Sequence, residues 1–200
     1  MAIFAVEDRY SQYNQKFTLV DSKELAKISG FSTPNKVLAT FKIPSPLTVN
    51  WSFLTVALDG INDPGNLGTI IRLCDWFGIE DLICSEDTVN CYNPKVVQAS
   101  MGSHTRVNIT YVDLKKTLST VSNCMGTFMD GISIYNQTLP KTGVIVLGNE
   151  ANGISEDIES LIDLRLSIPR FGKLKQTESL NVANAAAIVL SEFKRNLTET

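Results

Sequence analysis

The chain has 200 residues, of which 44% are hydrophobic and 20% are charged, and its formal net charge is −3. This length and composition indicate one substantial folded domain with at most a small appendage, and they exclude an intrinsically disordered protein. No apolar run reaches the roughly 18 residues of a membrane span, and the first residues, MAIFAVEDRY, lack the basic and then apolar order of a secretory signal. We therefore expect a cytoplasmic protein without a membrane partner.

The first part of the chain predicts a short α/β segment. Apolar FTLV and VLAT are candidate strands, and DSKELAKIS between them predicts a helix capped by Asp21 or Ser22. These elements bury too little surface to form a good core alone. Residues 42–50, KIPSPLTVN, contain two prolines between apolar segments and predict a linker. The expected domains are therefore a partial one over 1–46 and a main one over 50–200.

After the linker, strands alternate with helices. The strand FLTVAL is followed by a loop and by a helix whose apolar residues recur at helical spacing from Leu67 to Phe77. Further strands are predicted at DLICS (81–85), RVNITYV (106–112), GTFMD (126–130), VIVL (144–147) and LRLSIP (164–169). Further helices are predicted after Asn93-Pro94, after Asp113, after Ser155 and from Val182 to Phe193. Because the strands are almost wholly apolar, this order predicts a parallel sheet with helices on both faces.

Three loops of this predicted fold are rich in small and amide side chains. They are NDPGNLGTIIR (62–72), LGNEANGIS (147–155) and IPRFGKLKQTESLNVANAAA (168–187), and each follows a strand. Parallel α/β sheets bind ligands beyond the carboxyl ends of their strands. The second and third loops combine exposed backbone with few fixed charges, which suits an adenosine-containing ligand without phosphates, and S-adenosylmethionine (AdoMet) fits that description.

Several other kinds of site are disfavoured. The four cysteines have no CxxC spacing and His104 is the only histidine, so we expect no zinc or other metal site and no disulfide framework. The segment from Gly60 has the glycines of a P-loop, but Asn66-Leu67 stands where Lys-Ser/Thr is required, and no GxGxxG follows a strand. The GxSxG motif of serine hydrolases is also missing from the sequence. An unrelated doubly wound enzyme that uses a nucleotide therefore loses support.

The three loops together resemble the three motifs of the SpoU/TrmH-type RNA 2′-O-ribose methyltransferases of the SPOUT superfamily. The first is N-x5-R after a strand, from Asn66 to Arg72, and the second is an apolar strand followed by GNE, ending at Glu150. The third is IP-x2-G followed by SLNV, ending at Val182. The resemblance covers residues 52–197. The segment before the linker resembles the end of a small L30e-like RNA-binding domain, whose first half we expect to be missing from this chain.

The resemblance implies a fold and a cofactor. Members of the family tie the C-terminal part of a parallel sheet into a deep trefoil knot, which periodicity alone could not predict because threaded chains are rare. The methyl donor AdoMet is expected in the knot, held mainly by backbone groups. The residues that the resemblance assigns to cofactor binding are Leu147, Gly148, Asn149, Ile168 and Leu180, with Asp130 as a weaker candidate.

The resemblance also implies a reaction, the transfer of a methyl group to a ribose 2′-hydroxyl of ribosomal or transfer RNA by a homodimer. The expected catalytic residues are Arg72, Asn66, Glu150, Ser179 and Asn181. Since arginine stays protonated in proteins, we expect Arg72 to orient the acceptor and stabilise negative charge, and the proton acceptor stays open. The alternative is a noncatalytic RNA-binding relative with the same fold.

Basic residues are concentrated near the end of the chain, although the whole protein is acidic. Arg165, Arg170, Lys173 and Lys175 fall within residues 165–175. Such a local patch can bind phosphates, although on charge alone a solvated loop explains it equally well. The residues predicted to bind RNA are Arg72, Arg170, Lys173 and Lys175.

Overall fold

The computed structural model describes residues 1–8, 17–172, 174 and 179–195, and the chain divides into two compact units, 1–45 and 46–200. The first unit contains strands β1 (Ala2–Ala5), β2 (Thr18–Leu19) and β3 (Val37–Thr40) and helix α1 (Ser22–Ile28). β1 lies in the middle of the sheet, parallel to β2 and antiparallel to β3. Asp21 caps α1 in a capping box with Glu24. The sequence did not predict β1, the central strand of this unit.

The second unit contains six strands and five α-helices among the described residues. The strands are β4 (Leu54–Asp59), β5 (Asp81–Ser85), β6 (Asn108–Val112), β7 (Cys124–Ser133), β8 (Gly143–Gly148) and β9 (Leu164–Ser167). The helices are α2 (Pro64–Trp76), α3 (Pro94–Ser100), α4 (Leu114–Leu118), α5 (Glu156–Glu159) and α6 (Val182–Lys194), with short 3-10 helices at Ser103–Thr105 and Ile134–Asn136.

These six strands form one parallel sheet in the spatial order β6-β5-β4-β8-β7-β9. β8 lies at the centre between β4 and β7, and its residues Gly143 to Leu147 are all buried. The predicted parallel sheet is therefore confirmed. Its carboxyl edge carries the loops after β4, β8 and β9, where the three sequence motifs lie.

Helices cover both faces of the sheet, as the sequence predicted. Alternate residues of a strand point to opposite faces, so Leu58 and Leu147 join one apolar cluster with α2 and α6. Ala57 and Val146 join a second cluster with α4 and α5. A strand sandwiched in this way must be apolar on both faces, which explains the uninterrupted apolar sequence of β4 and β8.

Helix α2 is held close to α3 at a glycine. A Cβ atom added at Gly68 would lie 2.5 Å from Cβ of Ala99 and 2.8 Å from the carbonyl oxygen of Val96, so only glycine permits this approach. Asp63 caps the start of α2, accepting a hydrogen bond from the backbone N–H of Asn66. Packing and capping together fix the helix that carries the first motif.

Strand β7 is longer and less regular than predicted. It pairs with β9 on both sides of a bulge between Thr127 and Ile132. Within the bulge, Gly131 packs against the backbone of Leu166, where an added Cβ would lie 2.5 Å from the carbonyl carbon. The sequence shows only one short apolar run here because the bulged residues do not follow the alternation of a strand.

None of the helices in the described part of the chain is long and apolar enough to span a membrane. The same residues contain no group of three or more His, Cys, Asp or Glu side chains placed to bind a metal ion. All four cysteines are buried and free, and burial raises the pKa of the Cys74 thiol to about 12. Such a thiol stays protonated at neutral pH and packs as a small apolar group.

Candidate active site

Asn181 stands at the start of α6 and forms the base of the candidate site. As the N-cap residue, it accepts hydrogen bonds at Oδ1 from the backbone N–H groups of Ala183 (3.0 Å) and Asn184 (3.3 Å). This cap fixes the orientation of the amide, so its Nδ2 points away from the helix. There it donates a hydrogen bond of 2.9 Å to Oδ1 of Asn66.

Asn66 connects Asn181 to the second motif through a further hydrogen bond. With its Oδ1 accepting from Asn181, its Nδ2 donates to a carboxylate oxygen of Glu150. The three residues come from three separate motifs, and the two bonds join positions that are 84 and 115 residues apart in sequence. The structure thus brings together Asn66, Glu150 and Asn181, and the direction of each hydrogen bond is set by the helix cap.

The loop that carries Glu150 is a tight turn over residues 149–153. The backbones of Asn149 and Gly153 exchange two hydrogen bonds, of 2.9 and 2.8 Å, and Gly153 has a φ of +72°. A Cβ atom at Gly148 would lie 2.2 Å from the carbonyl carbon of Gly153, so no side chain fits there. Nδ2 of Asn149 donates to the carbonyl oxygen of Gly60. The turn is therefore anchored to the loop after β4 and holds Glu150 beside Asn66.

Asp59, at the end of β4, is a second anchor that sequence reasoning missed. Its buried carboxylate accepts a hydrogen bond of 2.7 Å from the backbone N–H of Ser155, just before α5. The following backbone N–H, of Gly60, donates to the Ser85 hydroxyl at 2.8 Å. Like β8 before residues 148–150, β4 is a buried apolar strand that ends in a polar residue. The same pattern could therefore have identified Asp59.

The predicted cofactor-binding residues offer a neutral, mostly backbone surface. The side chain of Leu147 is buried in the core, so only its backbone can face a ligand. Ile168 is half-buried at the end of β9, and Leu180, next to Asn181, is 46% exposed. Backbone groups combined with apolar side chains suit the adenosine part of AdoMet, so these residues fit that cofactor.

Arg72 does not join the hydrogen-bonded chain. It lies six residues after Asn66 on α2, which places it about 9 Å further along the helix axis and about 120° around it. Its side chain is exposed and, within the part of the chain that the structure describes, has neither a hydrogen bond nor an ion pair. The guanidinium is therefore available to a ligand or to another chain.

Asp130 lies in the β7 bulge and is engaged by Arg165. Nη2 of Arg165 donates to Asp130 at 2.6 Å, and this hydrogen bond holds the pKa of the Asp130 carboxyl below its usual value. Arg165 also pairs with Glu159, and its guanidinium lies 3.6 Å from the centroid of the Phe128 ring. Arg165 is thus neutralised within the chain, which reduces the charge of the predicted basic patch.

The remaining predicted site residues lie in the segment before α6. Arg170 and Ser179 are exposed at the surface. Lys173 and Lys175, predicted to bind RNA, lie outside the described residues.

The sequence is similar to proteins of known activity. It is 28% identical over 184 residues to the 23S rRNA (guanosine(2553)-2′-O)-methyltransferase RlmP of Bacillus subtilis, covering 88% of this chain and 71% of that protein. It is 36% identical over 148 residues to the 23S rRNA (guanosine-2′-O-)-methyltransferase RlmB of Neisseria meningitidis, covering 71% of this chain and 58% of that protein. The chain thus spans between 58% and 71% of the length of these two relatives.

The fold is also that of a solved methyltransferase. The SpoU methyltransferase AviRb of Streptomyces viridochromogenes, solved in complex with AdoMet, superposes with a TM-score of 0.84 at 24% identity, covering all of this chain and 84% of that one. The sequence profile of the SpoU rRNA Methylase family matches residues 53–191, which include all three motifs. With the fold, the converging motifs and this match in agreement, the chain belongs to the SpoU rRNA methylase family.

Proposed function

We propose that this protein is an AdoMet-dependent RNA methyltransferase that transfers a methyl group to a ribose 2′-hydroxyl of ribosomal or transfer RNA. The observation that carries the proposal is the hydrogen-bonded chain Asn181–Asn66–Glu150, which joins all three family motifs at the carboxyl edge of the sheet. Both relatives described above are named as 23S rRNA 2′-O-methyltransferases, which favours ribosomal RNA as the substrate. The cell compartment consistent with that substrate is the cytoplasm.

When bound, AdoMet supplies a methyl group that its sulfonium has already activated. The protein must therefore bind and orient the two reactants and help the ribose hydroxyl to lose its proton. The backbone at Leu147, Gly148, Ile168 and Leu180 would hold the donor. The chain of hydrogen bonds joins the loops of the three motifs, which supports a donor site held in place by these loops.

Arg72 positions the acceptor. Its guanidinium stays protonated at all physiological pH values, so it acts by attracting an RNA phosphate or the 2′-oxygen and by stabilising the negative charge that develops there. The 2′-hydroxyl distinguishes RNA from DNA, which makes RNA the expected acceptor. Arg170, Lys173 and Lys175 add positive charge near the third motif, and the short N-terminal unit contributes to RNA selection as the L30e-like segment that it resembles.

The position of Arg72 supports a homodimer. Arg72 lies about 120° around α2 from Asn66, which favours its use by a neighbouring chain. Trp76, one helical turn after Arg72, is 82% exposed, which supports an apolar contact between two copies along this face. A second copy would then supply its Arg72 to the pocket of the first.

The proposed trefoil knot is supported by the path of the chain. The connection from β8 through α5 to β9 covers the face that carries α4, whereas α6 packs on the other face against α2 and β8. β9 lies at the sheet edge beyond β7, whereas α6 packs against α2 and β8. The third motif lies in the sequence between β9 and α6, which would place the donor pocket within the knot.

The function is tested by replacing Arg72. We expect Arg72→Ala to lower methylation of ribosomal RNA at least about 100-fold, because it removes charge stabilisation that acts in the transition state. The affinity for S-adenosylhomocysteine, measured by calorimetric titration, should stay within about twofold of the unchanged protein, because the donor pocket does not include this side chain.

The matched control is Lys116→Ala, which removes an exposed cation from α4 on the opposite face of the sheet and should leave both measurements unchanged. Lost donor affinity with normal turnover at saturation would reverse the role given to Arg72. The unchanged protein should also be assayed with radiolabelled AdoMet on the total RNA of a strain that lacks the gene. If no RNA is labelled, the protein is the noncatalytic RNA-binding relative.

A further inference from the structure

Arg106 and Asp75 form a bidentate ion pair, and Asp75 lies three residues after Arg72 on α2. Arg106 donates from Nε to both oxygens of Asp75, at 3.1 and 3.0 Å, and from Nη2 to Oδ2 at 2.6 Å. The same Nη2 reaches the Ser103 hydroxyl at 3.3 Å. These bonds join α2 to the segment that follows the 3-10 helix at Ser103–Thr105. Hydrogen bonds between a guanidinium and a carboxylate are charge-assisted, and at this partly exposed position their strength is reduced by solvent.

Asp75 is also the natural partner of Arg72 on the same helix. The two residues are three positions apart on α2, a spacing at which oppositely charged side chains meet on a helix surface. In the structure Asp75 is held by Arg106, and Arg72 has no hydrogen bond or ion pair with any described residue. Arg72 and Arg106 can thus both pair with the Asp75 carboxylate, and in the structure Arg106 does so.

The charge of Asp75 determines how a change of its partner would affect Arg72. Hydrogen bonds from Arg106 hold the pKa of the Asp75 carboxyl below its usual value, so it is ionised at neutral pH. Without a partner, this carboxylate would attract the Arg72 guanidinium and repel an RNA phosphate that approaches Arg72. With Arg106 in place, the local charge is balanced and Arg72 stays extended to solvent.

We propose that Arg106 is a positioning residue that occupies Asp75 and thereby leaves Arg72 uncommitted for the RNA acceptor. This inference rests on the proposed function. It separates two roles for similar side chains: Arg72 touches the substrate, and Arg106 acts through Asp75 on the availability of Arg72.

The test compares Arg106→Gln, Asp75→Asn and the double variant in the full-length protein. Arg106→Gln should lower kcat/KM for RNA methylation by about three- to tenfold at low salt, with a smaller loss at high salt, because the released carboxylate is partly exposed and screened. Asp75→Asn removes the competing charge and should stay near the activity of the unchanged protein. The double variant should recover to within about twofold of it, because without the carboxylate Arg72 has nothing to pair with.

A purely structural pair predicts the opposite pattern, because Asp75→Asn and the double variant would then be as impaired as Arg106→Gln. That pattern, or full activity of Arg106→Gln, would overturn the proposal. Arg195→Gln breaks a comparable surface pair with Glu192 on α6 and serves as the matched control, with no expected loss. S-adenosylhomocysteine affinity should be equal in all variants.

A crystal structure of the Arg106→Gln variant gives a readout that does not depend on activity. We expect the Arg72 guanidinium within ion-pair distance of Asp75, and an Arg72 that stays clear of Asp75 would contradict the proposal. If the unchanged protein methylates no RNA, the proposed function fails. The crystal structure of Arg106→Gln would still show whether Arg72 pairs with Asp75 once Arg106 is removed.

Discussion

Asn181 combines two tasks in one amide group. Its oxygen caps α6, and its nitrogen donates to Asn66, whose own nitrogen then faces Glu150. Every bond in this chain has a fixed direction, because helix N–H groups can only donate and a carboxylate can only accept. A change at either end therefore affects the orientation of the amide in the middle.

Asn181→Asp should separate these two tasks. Aspartate caps a helix about as well as asparagine, so stability should change by less than about 0.5 kcal/mol, measured by chemical denaturation. The new carboxylate cannot donate to Asn66, and a flipped Asn66 amide would instead direct its oxygen at Glu150. We expect weaker S-adenosylhomocysteine binding by calorimetry.

Asn181→Ala is the companion variant, which loses both tasks. It should also lose about 1 kcal/mol of stability through the missing cap. Unaltered donor affinity in both variants would show that the chain of hydrogen bonds does not support the donor pocket.

At the scale of elements, the turn after β8 is the part of the site that depends most on backbone geometry. Gly148 leaves no room for a side chain, because the turn folds back directly over it. The turn is held from outside by Asn149, through its hydrogen bond to Gly60. Its shape is thus determined jointly by local glycines and by a neighbouring loop.

Gly148→Ala should disrupt this turn. The added methyl group would overlap the backbone of Gly153 and Ile154, so the turn must open and Glu150 must move away from Asn66. We expect donor binding to fall below detection in calorimetry, while circular dichroism still shows the folded sheet. Gly30→Ala, where an added Cβ meets nothing within 4 Å, should change neither measurement. Normal donor affinity of Gly148→Ala would indicate that the donor binds elsewhere.

The sequence predicted the type of nearly every element in the second unit, because long apolar strands and capped helices are encoded locally. It could not predict the order of the strands. β8 lies beside β4, although more than 80 residues separate them, and only tertiary packing decides that pairing. For the same reason the motifs predicted Asn66, Glu150 and Asn181 as site residues, but not the hydrogen bonds between them. β1 was missed because the short, half-exposed run AIFA resembles many loops.

At the scale of the whole molecule, the proposed homodimer makes each pocket depend on two chains. If Arg72 comes from the partner, two inactive variants can complement each other. Arg72→Ala and Glu150→Ala are each expected to be inactive. After co-refolding, half of the dimers are mixed and one of their two pockets is intact, so about one quarter of full activity should return.

Methylation assays on the co-refolded mixture check this prediction, with the two separately refolded variants assayed side by side as the baseline. No recovery in a mixture shown by mass spectrometry to contain mixed dimers would mean that each chain uses its own Arg72. A monomer at working concentration in sedimentation analysis would contradict the dimer itself.

The hydrogen bond between Asn66 and Asn181 spans 115 positions of the sequence, and this has a consequence for biosynthesis. Most of the sheet can form while the ribosome is still translating, since its first strands are made early. The proposed donor pocket cannot form at that stage, because Asn181 and α6 are the last of its parts to be made. They can dock on α2 only after they have left the exit tunnel. If the proposed site is correct, we expect a nascent chain to be inert toward RNA until α6 has been made.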